Sequence, residues 1–444
     1  MPNKVSLDQG YPKIDQSNEI FARAKKLSPA WTQTLAKGPQ QYVNGVMPKY
    51  AAKGKGARIW DVDGNEYLDY QMAIGPLSLG YGYKKVDDAI KAQLDDGITF
   101  SLMHPLEVEV AEMIRDIIPN AESVRFSKTG ADVCSAAVRL ARAYTGRNKI
   151  LCCGYHGWHD WYIGVTDRDA GIPQATKDLT FTFNYNDIEQ FEKSLDSDTA
   201  CVILEPMVFE HPKDGFLEKV AELCKKNGTL LVFDEMWTGF RLGMGGAQEA
   251  FGIKPDLAVY SKAIANGMPI SVLTGRADVM DLLTEKVFFF TTFGGDALSL
   301  AATKATLTEL KEKNVPKYLQ TVGKRLKDGY NQIARDLDLT FTRCIGYDAR
   351  TMVVFDAAGG NPLELKSFVQ QELGKRGILW SGFHNMSFSH TDADVDYTLK
   401  AYKEVLELLK DGVVKGDLRS RIRGDLVSPV FRRVSNFNMK PATK

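Results

Sequence analysis

Short, continuous apolar runs alternate with amphipathic stretches along the middle of this 444-residue chain, and this alternation limits the possible folds more than any other feature. Four such runs are Lys149–Cys153, Ala200–Leu204, Leu230–Phe233 and Leu257–Tyr260. A strand that is apolar at almost every position is buried on both faces, and such strands alternate with helices in mainly parallel sheets. The chain is therefore predicted to be an α/β protein that binds its ligand beyond the carboxyl ends of the strands.

The segments around this core have patterns of their own. Gly56–Tyr70 predicts a hairpin, because two alternating strands flank the turn Asp63-Gly64-Asn65. The first sixty residues otherwise look polar and irregular, and residues 340–410 predict the order strand, strand, helix, strand, helix. Helical periodicity is predicted at residues 86–96, 105–118, 130–146, 296–314 and 316–336.

We predict a large domain over residues 76–314, which follows an N-terminal segment of residues 1–75 and precedes a C-terminal part, residues 315–444, that contains a smaller α/β unit. The C-terminal part ends in a basic tail from Lys415 to Arg433, which is typical of a solvated or subunit-covering segment.

Composition excludes several function classes. Lys+Arg and Asp+Glu both count 56, so a net charge of zero gives no long-range attraction to nucleic acid or to an anionic membrane and favours self-association. The six cysteines show no Cys-x-x-Cys spacing, and no apolar run approaches the roughly 20 residues that a membrane span needs. His156 and His159 have no third ligand nearby, so no metal is predicted. We expect a cytoplasmic protein with reduced thiols.

Lys262 and Asp234 indicate a specific chemistry. Asp234 ends the run Leu230–Phe233, and Lys262 follows the run Leu257–Tyr260, so both belong at the same edge of the sheet. A lysine forms a Schiff base with an aldehyde cofactor, and a buried strand-end acid keeps a pyridine nitrogen protonated, which is how proteins use pyridoxal phosphate. Taken alone, a surface lysine and a strand-end aspartate are each commoner, so the assignment depends on the other motifs.

Four further motifs have a structural and a functional interpretation. Thr129-Gly130-Ala131 starts a helix, where free backbone N–H groups suit a phosphate, although Thr129 also suits a plain helix cap. Tyr155 follows a strand and could stack on a cofactor ring. Glu205-Pro206 ends another strand, and Thr292 lies in a small-residue turn before a helix, where a simple cap is again the alternative.

Together these residues resemble the class III aminotransferases of pyridoxal-phosphate fold type I, in the branch that contains glutamate-1-semialdehyde aminomutases. The resemblance extends from Gly56 to Asp396 and is most specific from Phe233 to Arg241 and at Lys262. It implies a large domain with a mainly parallel sheet and a smaller α/β domain that is built from both ends of the chain, so that residues 1–75 join the C-terminal small domain.

The resemblance also implies roles. Lys262 corresponds to the Schiff-base lysine and proton shuttle, and Asp234 to the partner of the pyridinium nitrogen. Thr292 corresponds to a threonine that reaches the phosphate across a subunit boundary, which implies a homodimer with composite sites. The other residues assigned to the cofactor are Thr129, Gly130, Ala131, Tyr155, His156, Glu205 and Trp237. Glu210 corresponds to a glutamate that gates a substrate-binding arginine in some relatives.

This chain departs from the family pattern at several places. Ala131 replaces a threonine of the phosphate turn, Trp237 stands where relatives carry Gln or Met, and Asp296-Ala297 replaces Asn-Pro. Residues 37–49 contain only Lys37 and Lys49 as cations, whereas the aminomutases carry a carboxylate-binding arginine in this stretch. Lysine cannot reproduce the bidentate grip of arginine on a carboxylate, so a strict aminomutase is disfavoured.

The preferred hypothesis is an aminotransferase that moves an amino group from an amino-acid donor to an aldehyde or ketone. A weaker resemblance to a branch found with surface-carbohydrate biosynthesis suggests a sugar-derived acceptor, and Gln41 and Tyr42 would suit hydroxyl groups on it. The alternatives are an intramolecular aminomutase, which needs the same residues, and a nicotinamide-dependent dehydrogenase. The dehydrogenase is disfavoured because no Gly-x-Gly-x-x-Gly follows a first strand.

Overall fold

The computed structural model describes residues 10–428 and Lys440. Within them, the strands are β1 (Ala51–Lys55), β2 (Arg58–Asp61), β3 (Glu66–Asp69), β4 (Ser123–Ser127), β5 (Lys149–Cys153), β6 (Thr180–Thr182), β7 (Thr199–Leu204), β8 (Leu230–Asp234), β9 (Leu257–Tyr260), β10 (Ser271–Gly275), β11 (Thr342–Tyr347), β12 (Arg350–Phe355), β13 (Ile378–Leu379) and β14 (Phe383–Asn385). The α-helices are α1 (Asp15–Leu27), α2 (Lys84–Asp96), α3 (Pro105–Ile117), α4 (Gly130–Thr145), α5 (Asp160–Ile163), α6 (Gln174–Lys177), α7 (Ile188–Ser194), α8 (Phe216–Asn227), α9 (Gly246–Phe251), α10 (Ala277–Met280), α11 (Leu282–Glu285), α12 (Ala297–Glu312), α13 (Val315–Asp336), α14 (Pro362–Lys375), α15 (Asp392–Lys415) and α16 (Leu418–Arg421).

The chain divides into two compact units. The first unit contains the described residues 10–83 and 318–428, and the second unit contains residues 84–317 and Lys440. The predicted assignment of residues 1–75, 76–314 and 315–444 to domains stays a prediction. The predicted basic tail from Lys415 to Arg433 lies, beyond Ser428, outside the described residues.

The second unit is built on a seven-stranded sheet in the order β4-β10-β9-β8-β7-β5-β6. Neighbouring strands from β9 to β6 are parallel, whereas β10 is antiparallel to both β9 and β4. Every residue of β7 and of β8 is buried, as expected for strands that are covered on both faces. The predicted α/β fold with a mainly parallel sheet is confirmed, although the sequence did not reveal that β10 runs the other way.

Helices cover this sheet and bury its side chains. Helix α4 packs on β7, β9 and β10, and its apolar residues Val133, Ala137 and Leu140 join the core. Cys152 and Cys153 point to opposite faces of β5 by the alternation of a strand, and both are buried. All six cysteines are buried and free of disulfides.

The first unit contains two smaller sheets. The predicted hairpin is present as β2 and β3, and β1 and the parallel strand β13 extend it to a sheet in the order β1-β2-β3-β13. The second sheet has the order β11-β12-β14, with antiparallel pairing.

Two predictions for the first unit were wrong. The N-terminal residues are not irregular throughout, because α1 forms there and buries Phe21. Its acidic first turn and basic last turn suit the helix dipole. This charge pattern was overlooked because the whole segment is polar. Between α14 and α15 lie two strands rather than one, and β13 has only two residues, too few to show an alternating pattern. Among the described helices, none combines the length and the apolar character needed to cross a bilayer.

Candidate active site

The carboxyl ends of the parallel strands bring the predicted residues to one edge of the second unit's sheet. Gly154 follows β5, Glu205 follows β7, Asp234 ends β8, and Lys262 comes two residues after the end of β9. Because β5, β7, β8 and β9 are parallel neighbours, these positions share one edge. The residues predicted to bind the ligand therefore lie at one edge of the sheet, and the ligand site itself stays a prediction.

Asp234 is buried and fixed from three sides. His156 Nδ1 donates to Asp234 Oδ2 over 2.7 Å, and the Cys134 thiol contacts the same oxygen at 3.7 Å. The backbone N–H of Met236 donates to Oδ1 at 3.0 Å. A carboxylate held in this way cannot rotate freely, so its position is set before any ligand binds.

His156 holds the Asp234 carboxylate in place through this hydrogen bond. Its ring is buried and stacks on Trp161 with ring centroids 6.2 Å apart. Its Nε2 is buried and has no hydrogen-bond partner among the described residues. The sequence grouped His156 with the cofactor contacts. The structure shows its hydrogen bond to Asp234, and a direct contact with the cofactor stays a prediction. His159 belongs to a separate contact, in which its Nδ1 lies 2.6 Å from Ser135 Oγ.

Cys134, His156 and Asp234 have ligand atoms within 4.8 Å of one another, a distance that a metal ion could bridge. The hydrogen bonds between them account for this proximity without an ion. Burial, and then the charge of Asp234, raise the pKa of the Cys134 thiol well above its usual value. A metal at this position would have to displace the proton of the thiol, because cysteine binds metals as the thiolate.

Glu205 and the segment after β5 fit closely together. The backbone N–H of Tyr155 donates to Glu205 Oε1 at 2.8 Å. Gly154 has φ +123°, and a Cβ at this position would lie 2.8 Å from Glu205 Oε1. The Tyr155 ring meets Tyr162 edge-on at 5.6 Å, and Tyr155 remains 42% exposed. A partly open aromatic ring at the sheet edge suits stacking on a flat ligand.

The turn at the start of α4 is shaped by a capping box. Thr129 Oγ1 accepts from the N–H of Asp132 at 3.3 Å, and Asp132 Oδ2 accepts from the N–H of Thr129 at 2.7 Å. Behind the turn, a Cβ at Gly157 would come within 2.6 Å of Ala131 Cβ. The small residues therefore allow two backbone segments to approach each other at a helix N-terminus, where the dipole favours an anion.

Lys262 begins a short 3-10 turn, Lys262–Ala265, in an unusual backbone conformation. Its φ is +46°, in the left-handed region that non-glycine residues rarely occupy. Its Nζ lies 3.8 Å from the centre of the Trp237 ring. Backbone strain of this kind costs on the order of 1–3 kcal/mol and is concentrated at functional sites.

Four predicted residues take no part in the contacts described above. Glu210 is exposed and pairs with Lys213 at 2.5 Å, rather than with an arginine. Thr292 lies in an exposed loop before α12. Gln41 and Tyr42 belong to the first unit, where Gln41 Nε2 donates to the carbonyl of Ser428 at 3.1 Å and Tyr42 lines a cavity.

The sequence did not single out three residues that shape this region. Cys134 contacts Asp234, and Lys128 contacts the start of α12. Glu235 is buried and accepts from the N–H groups of Ala247 and Gln248 at 2.9 and 3.2 Å. The available signal for Glu235 was its position directly after a fully buried strand, where an acid needs partners.

Comparison with known proteins identifies the family. The family model described as Aminotransferase class-III matches residues 41–389. The chain belongs to the class III aminotransferases. It is 33% identical over 412 residues to the 3-aminobutyryl-CoA aminotransferase of Cloacimonas acidaminovorans (strain Evry), covering 90% of this chain and 98% of that protein. It is 35% identical over 431 residues to the glutamate-1-semialdehyde 2,1-aminomutase of Methanosarcina acetivorans, covering 88% and 99%.

Solved structures of pyridoxal-phosphate proteins and transaminases share the fold. The FumI protein of Sphingopyxis sp. MTA144, solved with pyridoxal phosphate as its internal aldimine, matches with a TM-score of 0.83 at 28% identity, over 90% of this chain and 97% of that chain. An omega-transaminase from Sphaerobacter thermophilus matches with a TM-score of 0.79 at 25% identity, over 90% and 98%. The predicted fold type I, the transaminase class and the cofactor pyridoxal phosphate are confirmed.

The residues of this aminotransferase fit that cofactor. The buried Asp234 carboxylate suits a protonated pyridine nitrogen, and the partly exposed Tyr155 ring suits its flat face. The N-terminus of α4 offers backbone N–H groups and a favourable dipole to a phosphate. Lys262 supplies a primary amine at the same sheet edge. The charges and hydrogen-bonding groups of these residues are all compatible with the cofactor.

Proposed function

We propose that this aminotransferase exchanges the amino group of an amino-acid donor for the carbonyl oxygen of an aldehyde or ketone acceptor. The donor leaves as the corresponding keto product, and the acceptor leaves as an amine. The observation that carries the proposal is the buried Asp234 carboxylate, which His156 and Cys134 hold at the sheet edge where Lys262 also lies.

Each residue has a role in the proposal. Bound pyridoxal phosphate supplies an aldehyde and a ring that accepts electrons. Asp234 keeps a proton on the ring nitrogen, and Lys262 Nζ takes and returns the proton at the substrate carbon. Tyr155 covers one face of the ring, and the turn Thr129–Ala131 binds the phosphate. Glu205 and His156 fix Tyr155 and Asp234 respectively, and Trp237 forms the wall beside Lys262.

Transfer between two substrates is favoured over intramolecular transfer by residues 37–49. This stretch supplies lysines but no arginine, and Lys37, Lys49 and Tyr42 line a cavity of about 330 Å³ within the first unit. Lysine ammonium and phenol groups suit hydroxyl oxygens on a sugar-derived acceptor better than they reproduce a bidentate carboxylate clamp. We assign Gln41, Tyr42 and Glu210 to substrate binding. Intramolecular amino transfer is the alternative function, because the chain is 35% identical to an aminomutase.

We further propose a homodimer in which Thr292 serves the partner's site. Exposed aromatic side chains surround Thr292: Phe288 is 78%, Phe290 69% and Phe293 56% exposed. Such a cluster of apolar surface is typical of an interface. The balanced charge of the chain also favours association. We place the enzyme in the cytoplasm, where buried free thiols such as its six cysteines are common.

The test uses the purified enzyme loaded with pyridoxal phosphate. Candidate amino donors are added singly, and loss of the visible absorption band of the lysine-bound cofactor is recorded together with the keto product. We expect one stoichiometric turnover with a donor alone and sustained turnover only after an aldehyde or ketone acceptor is added. Sustained turnover of a single substrate would instead establish the aminomutase. A visible band that persists in Lys262→Ala would refute the proposed role of Lys262.

A further inference from the structure

Lys128 connects three segments of the second unit, and each segment carries proposed cofactor residues or lies beside them. These are the turn Thr129–Ala131, the stretch after Lys262 that reaches Pro269, and the start of α12 at Asp296, which follows the Thr292 loop. Lys128 directly precedes the turn, and its side chain extends to the other two segments. The proposed function gives this lysine no role.

Three acceptors surround the Lys128 ammonium group. Nζ donates to the carbonyl of Pro269 at 2.9 Å, to Ser299 Oγ at 3.0 Å, and to Asp296 Oδ2. Ser299 Oγ in turn donates to the same Pro269 carbonyl at 3.1 Å. Because an ammonium group has three donors and no acceptor, these partners use its whole hydrogen-bonding capacity. A side chain satisfied in this way is anchored rather than free to move.

The contact explains why position 296 carries an acid. Asp296 Oδ1 caps α12 by accepting from the N–H of Ser299 at 3.0 Å, while Oδ2 faces Lys128. The family pattern has asparagine here, and asparagine has a single acceptor oxygen. If that oxygen capped α12, the amide donors would face the ammonium group. If it faced the ammonium group instead, the cap would be lost. Asp296 and Lys128 therefore depend on each other.

The pair is mostly shielded from water. The side chains of Lys128 and Asp296 are 20% and 7% exposed. Removing one partner from such a pair leaves an uncompensated buried charge, so the two segments it joins lose their alignment. Burial lowers the pKa of Lys128 to about 8, which leaves the ammonium group mostly charged at pH 7.

We propose that Lys128 is a positioning residue that, through Asp296, Ser299 and Pro269, holds the Thr129 turn in register with the segments that follow Lys262 and Thr292. The inference rests on the proposed phosphate-binding role of that turn. Under this proposal, loss of the ammonium group loosens the turn and weakens cofactor binding, while the positions of Lys262 and Asp234 do not change.

The experiment measures the dissociation constant of pyridoxal phosphate for Lys128→Met, Asp296→Asn and the double variant. We expect each single variant to bind about tenfold more weakly, and the double variant to bind about as weakly as either single one, because both substitutions break the same contact. Lys128→Arg keeps the charge and should recover part of the affinity. Thermal unfolding of each cofactor-free variant is recorded beside the titration.

Lys304→Met is the matched control. Lys304 lies on α12 and pairs with Glu109 at 2.6 Å, but both side chains are about half exposed and neither belongs to the three segments. We expect its cofactor affinity to equal that of the wild type.

Two outcomes would overturn the proposal. They are unchanged cofactor affinity in Lys128→Met, whether or not the stability of the cofactor-free protein falls, and additive losses in the double variant. If Lys128→Met does not fold, Asp296→Asn decides the question, since it removes the charge that faces Lys128 but keeps the size of the side chain. A wild-type protein that fails to bind pyridoxal phosphate would instead refute the proposed function, so the two failures are distinguishable.

Discussion

The sheet edge at Asp234 and the loop 288–293 both carry residues that we assign to the cofactor, but they hold them differently. At the sheet edge, Asp234, His156 and Glu205 are buried. His156 Nδ1 donates to Asp234, and the backbone N–H of Tyr155 donates to Glu205. In the loop, Phe288, Phe290 and Phe293 are more than half exposed. The loop is tied back mainly through its carbonyls, since Arg139 donates to Phe288 O at 2.8 Å and Arg125 to Phe289 O at 3.2 Å.

This difference indicates two kinds of function. A buried carboxylate with fixed partners is suited to electrostatic work, because it needs no reorganisation when charge develops nearby. An exposed aromatic loop with an anchored backbone is suited to contact with a second molecule. Substitutions at the sheet edge should therefore change chemistry and stability strongly, and substitutions in the loop should change affinity and association modestly.

The largest effect is expected for Asp234→Asn. The amide has nearly the same shape, but its neutral oxygen no longer favours a proton on the ring nitrogen, so kcat should fall by roughly 10²–10³-fold. Cofactor binding should persist, and spectroscopic titration would show it. The control is Cys134→Ala, which removes a contact to the same oxygen but keeps the charge. A kcat for Asp234→Asn within tenfold of the wild type would remove Asp234 from the chemistry.

A smaller effect is expected in the pH dependence of stability. Burial raises the pKa of Glu235 to about 7, above its unfolded value of 4.5. The folded state therefore binds more protons between these values, and unfolding free energy should fall as pH rises from about 4.5 to 7, by about 3 kcal/mol in total. Glu235→Gln should lose this slope in urea unfolding curves.

Glu249→Gln is the control for that experiment. Glu249 is exposed, and its carboxylate accepts from the N–H of Gly245 at 2.7 Å. Its substitution should leave the slope unchanged. The same slope in wild type and Glu235→Gln would mean that Glu235 does not titrate with folding.

The residues at the sheet edge were largely predictable from the sequence, whereas contacts that depend on tertiary packing were not. Asp234, Glu205 and Lys262 follow apolar runs, and parallel strands must place their carboxyl ends together. The contacts of Lys128 and Cys134 were not predictable, because they depend on how α4 and α12 pack against distant segments rather than on local periodicity. Helix α1 and strand β13 were missed because a polar helix and a two-residue strand give weak patterns.

Gly154→Ala tests whether the edge is as tightly packed as its hydrogen bonds suggest. The added Cβ would meet Glu205 at 2.8 Å, and the backbone has φ +123°. We expect a loss of about 2 kcal/mol in unfolding free energy. Gly171→Ala is the control, since its φ is +88° but nothing lies within 4 Å of the added Cβ, and it should cost only about 1 kcal/mol of backbone strain. Equal losses would show that the contact with Glu205 contributes nothing.

The smallest effect is expected for Thr292→Ala, which tests the loop. If the hydroxyl of Thr292 reaches the cofactor phosphate of the partner subunit, removing it should cost about one hydrogen bond, or roughly 1 kcal/mol, which corresponds to about fivefold weaker pyridoxal phosphate binding. The exposed Thr284 of α11 is the matched control, and Thr284→Ala should bind the cofactor like the wild type.

Measuring both variants over a range of protein concentrations separates the two possible sources of the loss. A threonine that acts across an interface can contribute only while the dimer persists, so the difference between Thr292→Ala and the wild type should disappear when dilution yields monomers, as followed by light scattering. A difference that persists in the monomer would place the Thr292 contact within its own subunit. No difference at any concentration would leave the loop with an interface role and no contact to the cofactor.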